Sequence, residues 1–226
     1  MAELRLLTYN VRSLRDDADA VARIIRACEP DVVAVQEAPR FLRWRSKRAA
    51  LARKSGLVVA TANRPGGLMV MTSIRAKLLD TGFALLPKTP KLHQRAVCSA
   101  LVELDGVRWS VSSIHLSLDD DERWEHMDPL WDGVRRWDAP VVVAGDVNER
   151  ARDGRAWAAL AAELQDAYAV APDGPSETYS ARNPHKRIDG IFADKRIEVV
   201  SCRAVQDVTG LDVASDHLPV LAVLRQ

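Results

Sequence analysis

VVVAGDVNER, residues 141–150, is the stretch on which the reading of this chain turns. Val141 to Gly145 are small or β-branched apolar residues, the composition of a strand covered on both faces. Yet the run passes straight into Asp146, Val147 and Asn148. Side chains of a strand alternate faces, so Asp146 and Asn148 project together while Val147 turns into the packing. A strand that ends in a carboxylate and a carboxamide needs a reason.

Moving outward, the same ending recurs. LRLLTY (4–9) leads to Asn10, and DVVAVQE (31–37) closes on Gln36 and Glu37. VRWSVSSIHL (107–116) carries His115, KRIDGIF (186–192) holds Asp189, and ASDHLPV (214–220) holds Asp216 and His217. Taken singly, each has an ordinary explanation. An Asp at a strand end is a turn former or a helix cap, Asn10 a turn residue, Glu37 a solvated end, and His115 a satisfied histidine. Those explanations do not cover six termini that all end in a metal ligand, an acid–base group or a carboxamide. Strand ends of α/β folds hold such groups rigidly, which suits chemistry.

Between these ends the periodicity switches between strand and helix. DDADAVARIIRAC (16–28) sets Ala20, Ile24, Ile25 and Cys28 at helical spacing, and Pro30 closes that helix. Residues 40–54 predict a basic helix stopping near Gly56, with short strands at 57–61 and 67–72. RAVCSALVEL (95–104) and VRWSVSSIHL (107–116) read as a hairpin, because Asp105-Gly106 is a turn pair. Residues 119–137 place Trp124, Met127, Leu130, Trp131, Val134 and Trp137 at roughly helical spacing around an internal Pro129, and the tryptophans read as core. Strands at 141–146, 187–193, 196–205 and 217–224 and a helix at 154–164 complete the pass. No linker, low-complexity segment or short repeat interrupts it, so residues 1–226 are expected to form one mixed α/β domain.

Composition narrows the function classes. At 47% hydrophobic and 28% charged, the 226 residues can build a sizeable core. Lys and Arg number 32 against 31 Asp and Glu, a net charge of +1 that excludes a strongly basic nucleic-acid coat but not local patches. Cys28, Cys98 and Cys202 are far apart with no CxxC, as expected of free thiols in a reducing compartment. MAELRLLTYN lacks a long apolar stretch, and no uncharged apolar run approaches the ~20 residues of a membrane span. The expectation is a cytoplasmic protein without a membrane span.

TYN (8–10), QE (36–37), IHL (114–116), GDVN (145–148), RIDGIF (187–192) and SDHLPV (215–220) follow one another in the order of the signatures of the endonuclease/exonuclease/phosphatase superfamily. The chain resembles that group, which includes DNase I, apurinic endonucleases, neutral sphingomyelinases and inositol-polyphosphate phosphatases, over nearly its whole length. The resemblance implies a DNase I-like, four-layer α/β sandwich. In that fold two mixed, mostly antiparallel sheets pack face to face and are flanked by helices. It also implies hydrolysis of phosphate esters with Mg²⁺ or Mn²⁺. Glu37 would supply a hard oxygen ligand, with Asn10 and Asp216 as further metal-side residues. His217 would be the general base, oriented by Asp189, while Asp146 and Asn148 would orient the attacking water and a phosphate oxygen. His115, as imidazolium, would stabilise the transition state or protonate the leaving group. Arg95 and Arg12 are candidate phosphate contacts. Two positions depart from the apurinic endonucleases: Arg12 stands where they have an acidic residue, and His115 where they have a tyrosine.

The substrate is less legible. Residues 40–54 carry seven Lys or Arg with Phe41 and Trp44 interleaved, which fits either a nucleic-acid track or a solvated helix face. Three readings stand side by side: a metal-dependent phosphodiesterase acting on nucleic acid, a phosphatase or phosphodiesterase for small phosphorylated metabolites or lipid head groups, and a non-catalytic binding module on the same scaffold.

Overall fold

Each of the two sheets is built around a single parallel pair of strands, and that pairing places the site. The computed structural model describes residues 1–226. In chain order the strands are β1 (Glu3–Asn10), β2 (Val32–Gln36), β3 (Val58–Thr61), β4 (Met69–Thr72), β5 (Lys77–Leu85) and β6 (Ala96–Leu104), then β7 (Val107–His115), β8 (Val141–Asp146), β9 (Gln165–Asp166), β10 (Asp189–Ala193), β11 (Glu198–Ala204) and β12 (Val220–Arg225). The helices are α1 (Ala18–Ala27), α2 (Trp44–Ser55), α3 (Asp120–Glu125), α4 (Met127–Val134), α5 (Arg155–Glu163), α6 (Ala167–Val170) and α7 (Leu211–Ala214). One sheet runs β11-β12-β1-β2-β4-β3 and the other β5-β6-β7-β8-β10-β9. Only β1/β2 and β7/β8 are parallel, the helices between them serving as crossovers; all other pairs are antiparallel. Each crossover therefore leaves two carboxyl ends side by side, and in open sheets such ends face ligand crevices.

Strand alternation sorts the core into layers. Leu4, Leu6, Val32, Ala34, Val111, Val142, Ala144, Ile191 and Val220 meet between the sheets. The opposite parity of the same strands faces helices: Leu7, Val33 and Val35 lie against Ile24, Ile25 and Leu51, while Val141, Val143 and Phe192 lie against Leu130, Trp157 and Leu160. This is the four-layer α/β sandwich the resemblance implies. The inward row then changes character along each strand. Above Leu6, Ala34 and Val111 come Thr8, Gln36 and Ser113, joined by Thr8 Oγ1 to Gln36 Oε1 at 3.2 Å within one sheet and by Gln36 Nε2 to Ser113 Oγ at 3.0 Å across the two. Asn10, His115 and Asp146 continue the same rows one step further.

Several sequence expectations are corrected here. The 119–137 stripe is two helices, α3 and α4, with Pro129 in the first turn of α4 where a missing N–H is tolerated. Met127, Leu130 and Val134 are buried, but Trp124 is 46% exposed and stacks under Arg155. Trp137 donates Nε1 to Asp80 at an exposed position, and Trp131 is only partly buried. The basic helix begins at Trp44, because Arg43 takes a left-handed conformation, φ 58°. β5 escaped the sequence reading because it is a largely solvent-facing edge strand whose apolar and polar residues do not alternate.

Candidate active site

Register brings the strand ends into one cluster. Asp146 pairs with His115 on the parallel neighbour and with Asp189 on the antiparallel one. Gly145 lets β8 lie this close, since a Cβ there would sit 2.0 Å from Ile114 O. Across the sandwich, Asn10 ends β1 and Glu37 follows β2 in a left-handed conformation, φ 49°. The 215–217 turn is tied beneath them by Ser215 Oγ, which donates to Asn10 O at 2.7 Å and receives His217 N at 3.4 Å.

Asp146 is the hub. Its Oδ2 receives Asn10 Nδ2 at 3.0 Å and lies 3.5 Å from His115 Nε2 and 3.8 Å from His217 Nε2; its Oδ1 receives Asn148 N at 2.9 Å. His217 Nδ1 meets Asp189 Oδ2 at 2.9 Å, and the other oxygen of Asp189 is buried without a hydrogen-bond partner. The edge of the Tyr179 ring packs on the imidazole, with centroids 5.1 Å apart. Thr178 Oγ1 accepts from Asp189 N at 3.3 Å. Asn148 Nδ2 donates to Leu116 O at 3.0 Å, fixing its carboxamide beside Asp146.

The charges follow from this crowding. Burial, then the neighbouring Asp189, pushes the Asp146 pKa up to about 7, so this carboxyl can take or give a proton near neutrality. Burial opposes a charge on His217, but Asp189 and Asp146 outweigh it and raise its pKa to about 10. His115 goes the other way: burial, then Arg95, holds it well below the ordinary histidine range. The imidazolium expected at His115 is therefore disfavoured.

Asp146, His115 and His217 line a cleft of about 580 Å³ that also takes in Glu37, Arg95, Asn148 and Asp216, while Asn10 and Asp189 stand outside its lining. Arg95 is buried with its Nε unpaired, and Arg15, Arg40, Arg150 and Lys186 complete the basic wall. Two expected positions differ. Arg12 does not line the cleft; it pairs with Asp16 at 3.2 Å and Asp216 at 3.4 Å and lines a neighbouring pocket. Asn10 turns its amide nitrogen, not its oxygen, to the carboxylates: Nδ2 lies 3.5 Å from Glu37 Oε1, and Oδ1 already accepts from Arg12 N at 3.1 Å. It braces Glu37 and Asp146 rather than offering a metal an oxygen. Tyr179, Thr178 and Ser215 went unread, and only Ser215, inside the SDH turn, carried a usable signal.

Asp146, Asp189 and His217 present donor atoms within 4.8 Å of one another, which is compatible with a metal cluster. The donor chemistry argues otherwise, because His217 Nδ1 is already taken by Asp189 and hard cations prefer oxygens. Glu37, whose carboxylate has the Asn10 amide as its only side-chain hydrogen-bond partner, fits such an ion better.

A sequence profile described as "Endonuclease/Exonuclease/phosphatase family" matches residues 7–217. No curated protein is matched by the sequence. An endonuclease/exonuclease/phosphatase from Bacteroides vulgatus superposes with TM-score 0.81 at 20% identity, covering 100% of this chain and 99% of its own. A mannosyl-6-phosphatase from Bacteroides thetaiotaomicron gives 0.81 at 15% identity, covering 99% and 100%. A humanized D. rerio TDP2 gives 0.71 at 19% identity, with both chains covered in full. At these identities the superpositions speak for the fold. No helix is long and apolar enough to cross a membrane.

Proposed function

Since this chain belongs to the endonuclease/exonuclease/phosphatase family, we propose that it is a Mg²⁺- or Mn²⁺-dependent hydrolase that cleaves phosphodiester bonds in nucleic acid. The observation that carries the reading is that His217, held by Asp189, and Asp146 share one cleft with five cationic side chains, Arg15, Arg40, Arg95, Arg150 and Lys186. An anionic diester needs its oxygen charge neutralised and a water deprotonated beside it, and this cleft supplies side chains for both.

In the proposed reaction His217 Nε2 takes the proton of the attacking water. Asp189 holds the opposite ring nitrogen as N–H, fixes the tautomer and shares the charge of the imidazolium that forms. Asp146 and Asn148 orient that water, and the leaving oxygen takes its proton from solvent as the P–O bond breaks. Arg95 and neutral His115 contact the phosphate. Glu37 would hold the divalent cation, with Asp216 at its margin. The cation, when bound, supplies positive charge that offsets the phosphate oxygens and brings His217 down towards the range where it accepts a proton.

A second reading, a phosphatase or phosphodiesterase for small phosphorylated metabolites or lipid head groups, is favoured by the size of the cleft, which suits a single sugar phosphate. The fold neighbours include a mannosyl-6-phosphatase as well as TDP2. Incubation with supercoiled plasmid or oligonucleotides, and separately with sugar and inositol phosphates, each with Mg²⁺, Mn²⁺ or EDTA, separates the two. Metal-dependent cleavage of the polymer is expected. Turnover of the small esters alone would transfer the assignment to the second reading, and silence on all of them would leave a non-catalytic binding module.

A further inference from the structure

The loop that carries Glu37 and Arg40 into the cleft is held from outside by two arginines, Arg64, whose Nε donates to Arg40 O at 3.0 Å, and Arg48. Arg48 shares the buried face of α2 with Leu51, Ala52 and Ser55, the spacing at which a helix ordinarily presents apolar residues to a core. It is 1% exposed and forms no ion pair. Its guanidinium instead donates to four backbone carbonyls: Nε to Pro39 O at 2.9 Å, Nη1 to Asn63 O and Leu68 O at 3.1 Å each, and Nη2 to Ala38 O at 3.4 Å. The Trp44 ring, one turn earlier on the helix, lies 5.0 Å from its Cζ. Burial brings its pKa down to about 10, so it stays protonated at neutral pH.

An interior cation without a counter-ion is costly, and an apolar residue would fill the same space without that cost. What an apolar residue could not do is join three backbone segments: residues 38–39 directly after Glu37, residue 63 after β3, and residue 68 at the entry to β4. The same junction is closed by Ala38 N, which donates to Gly67 O at 2.7 Å. Glu37 needs such support. Its left-handed backbone is unfavourable for a residue with a Cβ, and its carboxylate is anchored only by Asn10 at 3.5 Å.

We propose that Arg48 is a positioning residue that sets Glu37 at the place where the cleft binds its divalent cation, so that affinity for the ion depends on a guanidinium touching neither metal nor substrate. This rests on Glu37 being the ligand, as in the proposed function. Lysine cannot stand in, because its point-like ammonium offers three donors and cannot span four carbonyls as a planar fork does.

Mn²⁺ titration of the full chain, followed by the electron paramagnetic resonance of the free ion, tests this in wild type, Arg48→Lys, Arg48→Met and Glu37→Ala. Far-UV circular dichroism and melting in EDTA run alongside. The Arg48 variants are expected to weaken Mn²⁺ binding by at least ~10-fold while folded, as loss of support behind a ligand does elsewhere. The kcat of folded Arg48→Lys at saturating Mn²⁺ is expected to stay within about threefold of wild type, a split between binding and turnover. A folded Arg48→Lys that binds Mn²⁺ like wild type, even with a lower melting temperature, overturns the inference. Should both Arg48 variants fail to fold, Trp44→Leu removes the ring beneath the guanidinium, and unchanged Mn²⁺ affinity there overturns it equally. Wild-type affinity in Glu37→Ala would instead defeat the ligand assignment itself, so the two failures are told apart.

Discussion

Asp146 gathers four polar neighbours around two oxygens, so the proposed chemistry is most exposed to test in single side chains. His217→Ala and Asp189→Asn are each expected to lower kcat by at least ~10² while the protein stays folded, as loss of a positioned base or its orienter does. Near wild-type turnover in a folded His217→Ala would dismiss the base assignment. The same pair makes a pH-dependent contribution to stability. With a folded pKa of about 10 against the ordinary 6.5, His217 binds its proton more firmly in the folded chain. That contribution is complete below about pH 6.5 and is lost as pH rises through 10. In metal-free urea titrations, Asp189→Asn should therefore be most destabilising near pH 6, its deficit shrinking towards pH 10; an equal deficit at both ends would mean the ion pair is not its source. Much of this cluster was legible because strand ends repeat a chemical type, so Asp146, Asn148, Asp189 and His217 could be picked out before any contact was known. Arg12 was harder to place because Asp16, four residues on, could be read beside it, whereas Asp216 is brought to it only by the fold. Arg48 was hidden inside a basic run in which every other cation looked the same.

At the scale of elements, the two parallel pairs do the placing. β7 and β8 approach closely enough for His115 to reach Asp146 only because residue 145 has no side chain. Gly145→Ala would press a methyl into Ile114 O and is expected to destabilise the fold by about 3 kcal/mol. Chemical denaturation measures this, and a midpoint equal to that of wild type would show that the strands can separate at no cost. Elements with a buried face were readable from composition and period, as β2, β8 and α1 illustrate. Those whose face is shared with solvent were not: β5 lacks alternation, and α3 buries Glu122 and Arg123 while exposing Trp124, the reverse of what residue type suggests. Tertiary hydrogen bonds decided those cases, and they join residues far apart in sequence.

Over the whole molecule the net charge is +1, and in the cleft five cations face four carboxylates, Glu37, Asp146, Glu149 and Asp216. If the substrate is a polymer, several phosphates are engaged at once, and the logarithm of kcat/KM on oligonucleotides should fall against the logarithm of salt concentration with a slope of roughly −2 to −5. A slope near zero would point to a small ester instead. The sheet order has a consequence of another kind. β12 lies between β11 and β1, so the strand formed by residues 220–225 inserts into the middle of its sheet while its partner β1 starts at residue 3. Until that insertion occurs the edge strand β11 has no ladder partner and β1 has only β2, and nothing local in the chain can substitute for it. Renaturation should accordingly be slow and prone to clumping at high concentration, with amide protection in β1 and β11 arriving together and late.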